Sequence, residues 1–597
     1  MATYYVHGQT GSDANSGLTS ALAKQSLSGL VGTIVTGDTV NFAERIYDNA
    51  TFGSFSNVTF QQEVGQTQCV FDGSSPQAQS GWTAVTNGWY KDIGTSLGIE
   101  YCIYGTATNS RGSFTRHLTS DSAANVAAAT GATGKYNYNS VSGRLTVYLG
   151  GDNPNSSGKT VAYIARNGQN TIYTTTGDSN TYKNLWFENW QNNGQSGCLY
   201  LENQTNLRIE GCRSWDSGYH SFIALGQVTA LANCTMVNCY SYGCVANGSH
   251  MTYYNTNAAG NTSALRFINC WVERHVYLNI DGTPCSGLSN SQTAYLCHAD
   301  AGTPCRDVEA VGCYVYDQDV ANAPAIEWQS MPAPTSETTW SGYYCRSQNC
   351  TLENQSRLQM SNPQAMRANI LNFQQSGSSG LCRYNGFGCI AMNATLPKLL
   401  MEGCAIRFRS NDGANSPVNI EMLVNANARY YFYNCSIIDD GTNASSGMNM
   451  FYFTTGTTDT MQIHVKGCIL GYATTTGGTQ ALVYAEGSTA AAFILDDNVY
   501  GLFQNYGAAG TVAIANAAAL AAKDTHSKIL STNPFNNYAT NLRLLPGSSA
   551  YGYKRLTFSP TPSETLDGNY AGFPGAYQGS QSARSPRSAS RVKRTVR

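Results

Sequence analysis

Leu207-Arg208-Ile209-Glu210-Gly211-Cys212 is a short β-prone run closed by Gly and Cys. The same ending returns as Met236-Val237-Asn238-Cys239, as Leu265-Arg266-Phe267-Ile268-Asn269-Cys270 and as Val308-Glu309-Ala310-Val311-Gly312-Cys313. It continues with Gln348-Asn349-Cys350, Leu400-Met401-Glu402-Gly403-Cys404, Tyr431-Phe432-Tyr433-Asn434-Cys435 and Ile463-His464-Val465-Lys466-Gly467-Cys468. Successive Cys residues are 27, 31, 43, 37, 54, 31 and 33 residues apart. A loose period with variable insertions marks a solenoid, whose single coil cannot bury its own apolar face and must stack. The small thiol suits a slot in which the equivalent residue of each coil sits above the last. In Phe493-Ile494-Leu495-Asp496-Asp497-Asn498, the last recognisable coil, Asn takes the place of Cys.

Composition agrees. A chain of 597 residues exceeds one compact core. Only 12% of residues are charged; Asn, Ser, Thr, Gly and 38 Tyr stand in their place. That is a β-rich composition with polar turns. Thr511–Lys523, mostly Ala, is the one long stretch that reads as helix, and a short capping helix is expected near Ala21–Leu30. No apolar run approaches the length of a membrane span, and Met1-Ala2-Thr3 leads into a strand rather than a signal peptide. The 19 Cys are an odd number locked to the repeat, so they read as buried thiols of a protein made in a reducing cytoplasm. Cys285 and Cys305, each in Thr-Pro-Cys, leave a disulfide open. No Cys-x2-Cys spacing supports a zinc site.

Five segments follow: an N-terminal cap with the first coils (1–65), an inserted β-rich module (66–165), the coil body (166–500), a closing segment (501–579) and a basic tail (580–597). The insert is marked by Trp82, Trp89, the Ala-rich 123–129 and a hairpin over 134–149. The tail holds Arg584, Arg587, Arg591, Lys593, Arg594 and Arg597 with no acid, leaving 29 basic and 37 acidic residues elsewhere, a balance of −8.

Several stretches resemble the right-handed parallel β-helix family, which includes bacteriophage tailspikes and polysaccharide lyases. They are Tyr4-Tyr5-Val6 through Gly11-Ser12-Asp13-Ala14-Asn15-Ser16-Gly17-Leu18, then Gly37-Asp38-Thr39-Val40. Near the close come Lys523-Asp524-Thr525-His526-Ser527, Asn533-Pro534-Phe535, Leu542-Arg543-Leu544-Leu545-Pro546-Gly547-Ser548-Ser549-Ala550 and Gly575-Ala576-Tyr577-Gln578. With the Cys repeats, the resemblance covers nearly the whole chain to about residue 579. It implies an all-β fold, a right-handed parallel β-helix solenoid. It also implies a homotrimeric virion surface protein that binds a bacterial surface polysaccharide, with hydrolysis of it left open. Two other readings share the scaffold: a non-catalytic virion fibre or decoration protein, and a bacterial polysaccharide lyase. The tail is the spare element for attachment to other virion proteins. Without aromatics it offers no stacking platform for specific nucleic-acid recognition.

The densest acidic stretch is 273–327. If each repeat Cys faces inward, strand alternation turns Trp271, Glu273 and His275 outward from Cys270. Asp317-Gln318-Asp319 follows Cys313 and faces solvent only if a turn intervenes; Glu327 points outward beside Ile326. Glu273, Asp317, Asp319 and Glu327 are the candidate general acid and base, since glycosidase carboxyl pairs stand about 5–9.5 Å apart. Trp271, Arg274, His275 and Trp328 are the candidate sugar contacts. Residue by residue, solvated surface charge is the competing reading. No cofactor is expected; Asp317-x-Asp319 leaves calcium open. No Lys lies between Asn184 and Pro397, so a Lys base on the central coils is excluded and carboxylate hydrolysis is favoured over β-elimination.

Overall fold

The computed structural model describes residues 1–106, 116–128, 134–165, 171–190, 197–217, 220–244 and 249–256, and beyond these the strands and corners of the later coils as far as Leu544. The fold is a right-handed parallel β-helix, with three short strands to each coil and each strand joining one of three parallel sheets. Two units are distinguished: Met1–Ala259 with Cys270–Leu296, and Gly260–Asn269 with Cys297–Arg597.

In the first unit, one sheet stacks Thr3–His7, Thr39–Ala43, Thr59–Gln62, Thr181–Lys183, Arg208–Glu210 and Thr235–Val237. The second stacks Arg45–Ile46, Val70–Asp72, Trp186–Glu188, Arg213–Ser217, Tyr240–Cys244 and Trp271–Arg274. Inward residues of neighbouring coils meet as like on like. Phe60 stacks on Tyr182 at 5.1 Å and Phe71 on Phe187 at 5.2 Å between centroids. In the second unit the same three-sheet coil repeats from Thr262–Ile268 to Ala492–Asp496.

The Gly/Asn-Cys signature is the corner between the first and second sheets. Asn184, Gly211, Asn238, Asn269, Gly312 and Gly467 all have φ between 50° and 63°. This left-handed region is open to Gly and tolerated by Asn, which explains the alternation of those two residues. A Cβ on Gly211 would lie 2.3 Å from Asn184 Oδ1, so any side chain there must displace the Asn184 amide. The next residue turns inward. Cys212, Cys239 and Cys270 donate their thiols to the carbonyls of Tyr182, Ile209 and Met236 in the preceding coil, at 3.3–3.4 Å. In the second unit, Cys313 and Cys468 do the same to Phe267 and Phe432. Asn498 fills the slot in the last coil and donates to Val465 O at 2.7 Å. Cys212, Cys234, Cys239, Cys270, Cys313 and Cys468 are all buried. Cys285 lies outside the described residues; Cys305 opens the strand Cys305–Val311.

Two local expectations change. The segment 20–30 forms two single 3-10 turns, Ser20–Leu22 and Ser28–Leu30, rather than one helix. Asp13 takes the amides of Gln25 and Ser26, and Asp48 takes that of Ser28; such side-chain bonds compete with helix. The Ala-rich helix is described over Ala517–Lys523, and residues 511–516 of the expected stretch lie outside the described residues. The coil ladder also runs on through Val70–Asp72, so the insert begins at Ser75–Pro76 instead of residue 66. The insert is an eight-stranded, mostly antiparallel sheet returning at Thr160–Ala165, and its hairpin Lys135–Asn139/Arg144–Tyr148 lies where the turn residues place it. It has its own core around Trp82, Tyr104, Tyr136, Leu145 and Val147. Among the described residues, no helix is long and apolar enough to cross a membrane.

Candidate functional site

Strand alternation on the second sheet of the first unit leaves two outward columns. Counting from the corner, one column takes the residue just past the inward slot, the other the residue two further on. The first column reads Val70, Trp186, Arg213, Tyr240, Trp271; the second reads Asp72, Glu188, Trp215, Tyr242, Glu273. Between them lie the buried inward residues Phe71, Phe187, Ser214, Ser241 and Val272.

The middle of this face is aromatic. Trp215 and Tyr242 stack at 3.7 Å with 22° between their planes, and Tyr240 lies 6.4 Å from Tyr242. The exposed Arg213 holds its guanidinium 4.9 Å from the Trp186 ring centre, a cation–π distance. Trp186 and Arg213 also border an open polar cleft of about 310 Å³ that includes Gln62, Gln68 and Asn184. Tyr240 donates its hydroxyl to Glu273 Oε2 at 3.2 Å, which ties the half-buried carboxylate to the aromatic stack.

The carboxylates at the other end of the column are closed off. Arg45 bonds to Asp72 and lies 3.3 Å from Glu188, and all three residues are at most 2% exposed. Ser74 N and Asn189 Nδ2 complete the shell of Asp72. Burial alone would lower the Arg45 pKa, but Asp72 and Glu188 outweigh it and raise it. Burial, reinforced by Asp72, pushes the neighbouring Tyr47 up to about 12. This buried knot ties Ser74, just before the insert, to the coils and spends its carboxylates on Arg45. Glu188 and Glu273 stand three coils apart in one column, roughly 14 Å at the inter-strand spacing. That exceeds the separation of a glycosidase pair.

Of the residues singled out from sequence, Trp271 and Glu273 come together on this face, as alternation from Cys270 requires. Arg274 ends the strand Trp271–Arg274. Asp317 ends Tyr314–Asp317, while Glu327 and Trp328 lie in Pro324–Gln329; these three belong to the second unit. His275, Asp319 and the basic residues Arg584, Arg587, Arg591, Lys593, Arg594 and Arg597 lie outside the described residues. Trp186, Arg213, Trp215, Tyr240 and Tyr242 were missed. The offset that placed Trp271 and Glu273, one and three residues past Cys, finds four of these when applied to Cys212 and Cys239, and Trp186 one past Leu185.

No protein-family model matches the chain, and no curated protein is detectably similar. Among solved structures, XylC in complex with xylose aligns over 89% of this chain and 86% of its own, at 10% identity and a TM-score of 0.50. A rhamnogalacturonan lyase aligns over 89% and 87% at 10% identity with a TM-score of 0.26. The tailspike gp49 of Pseudomonas phage LKA1 aligns over 80% and 74% at 12% identity with a TM-score of 0.27. The XylC likeness bears on fold alone and agrees with the parallel β-helix seen here.

Proposed function

We propose that this chain is a polysaccharide-binding β-helix protein that grips a glycan along the aromatic face of its first unit. The observation that carries the reading is the outward cluster Trp186, Trp215, Tyr240, Tyr242 and Trp271, with Arg213 and Glu273 as polar contacts. Sugar rings present apolar C–H faces and polar edges. Flat aromatics match the faces, and a few placed polar groups fix orientation. The fold likeness to a protein solved with xylose supports the same reading. In line with the tailspike resemblance of the sequence, the protein works on a virion surface as a homotrimer, binds a bacterial surface polysaccharide and attaches through its basic tail. Binding without cleavage is favoured over hydrolysis, because within these columns Glu273 has no second carboxylate at catalytic separation.

The test is calorimetric titration with purified host surface polysaccharide, beside assays for new reducing ends and for unsaturated uronate. Binding that Trp215→Ala weakens supports the proposal, and undiminished binding by that variant sinks the assignment to this face. New reducing ends would restore the hydrolase; uronate absorbance would move the protein to the lyases. Deleting residues 580–597 is expected to abolish virion incorporation and leave folding intact.

A further inference from the structure

Asp497, with φ 55°, stands at the corner position that carries Gly467 in the preceding coil, and Glu44, with φ 67°, turns the first coil into Arg45–Ile46. Glu44 is fully served. It accepts the amides of Gln9 and Thr10 at 2.7 and 2.9 Å and the Thr10 hydroxyl at 2.9 Å, which binds the N-terminal loop to the first coil. Asp497 receives no hydrogen bond from the described residues, and its nearest charged neighbour in the closing segment is His526 Nδ1 at 4.0 Å. The same Nδ1 lies 3.0 Å from Asp496 Oδ1.

Three potential ligand atoms, one each from Asp496, Asp497 and His526, thus lie within 4.8 Å of one another. A metal held at about 2.0–2.2 Å by oxygen and imidazole nitrogen separates its ligand atoms by roughly 3–4 Å, and His526 Nδ1 stands 3.0 and 4.0 Å from the two carboxylates. A second observation comes from behind the cluster. Asp524, two residues before His526, is 1% exposed. Its Oδ2 accepts Asn498 N, Asn498 Nδ2 and Tyr500 OH, whereas its Oδ1 is buried with no donor. Three carboxylates are therefore gathered here. Lys466 Nζ is 3.7 Å from Asp496. His526 is largely open to solvent, so an ion can reach the cluster.

We propose that Asp496, Asp497 and His526 form a divalent transition-metal site, of the Zn²⁺ or Mn²⁺ class, that latches the closing segment onto the last coil. The imidazole disfavours calcium, which takes oxygen ligands. Two ligands belong to the coil and one to the segment that runs from Ala517–Lys523 into Lys528–Leu530, so the ion would bridge them.

The full-length protein, stripped with chelator, is titrated with ZnCl₂, MnCl₂ or CaCl₂ by calorimetry, and amide exchange is followed over 517–530. One equivalent of Zn²⁺ or Mn²⁺ is expected to bind and to slow exchange there. Asp497→Asn keeps the corner, since Asn occupies it in other coils, and His526→Ala alters a surface side chain; each is expected to weaken binding roughly tenfold or more. Binding that neither variant changes, binding of calcium alone, or equal exchange with metal and with chelator would overturn the proposal. The last result would leave only an Asp–His ion pair.

Discussion

The inner and outer sides of the same strands follow different rules. Along the second sheet of the first unit, Phe71, Phe187, Ser214, Ser241 and Val272 face inward and are all at most 1% exposed. One residue further along, Asp72, Glu188, Trp215, Tyr242 and Glu273 change character from coil to coil. Packing judges the inner column, because each residue must fit the one above and the one below. The outer column is judged by what meets it: Arg45 against Asp72 and Glu188, stacked neighbours and solvent at the aromatics. Architecture is thus written on one parity of the strand and recognition on the other.

Substitutions can break that division. The largest effect is expected from Phe187→Ala, an inward ring stacked on Phe71, at about 3–5 kcal/mol of lost stability by denaturant melt. Glycan binding per folded molecule should be unchanged; a selective loss of binding would show that the two sides are coupled. Gly211→Ala forces a Cβ against Asn184 in left-handed backbone and is expected to cost about 1–3 kcal/mol. Trp215→Ala works the other way: roughly tenfold weaker binding, or more, with little change in melting. Cys239→Ala removes one weak inward donor and should cost about 0.5–1.5 kcal/mol.

The smallest expected effect is local and depends on pH. Burial raises the Glu44 carboxyl, but the Thr10 and Gln9 amides and the Thr10 hydroxyl outweigh it and hold it below its ordinary 4.5. A depressed carboxyl stabilises fully above its unfolded pKa and loses that contribution as pH falls through the folded value. Protection of the Gln9 and Thr10 amides, relative to the coils, should therefore fall as pH drops through the depressed Glu44 pKa. Unchanged exchange at these amides would remove the corner latch.

The corner was legible because one backbone conformation and one buried slot select residue types directly: Gly or Asn for positive φ, then Cys or Asn498 for the inward donor. The site was half legible. Alternation from Cys270 placed Trp271 and Glu273, but a search for acid density drew attention away from Trp215, Tyr240 and Tyr242. Asp72 and Glu188 were not legible at all, since their closure depends on Arg45, 27 and 143 residues away. The start of the insert was blurred for a similar reason. Val70–Asp72 is defined by its pairing with Trp186–Glu188, across the whole inserted module.

Burial pushes the Cys212 and Cys234 thiols up to about 12, so at neutral pH they remain S–H groups and stay unreactive. A thiol-specific dye would find them only after their coil has opened. Each buried sulfur is a built-in clock: dye uptake, resolved site by site by mass spectrometry, would time the order in which the turns come apart under load or heat.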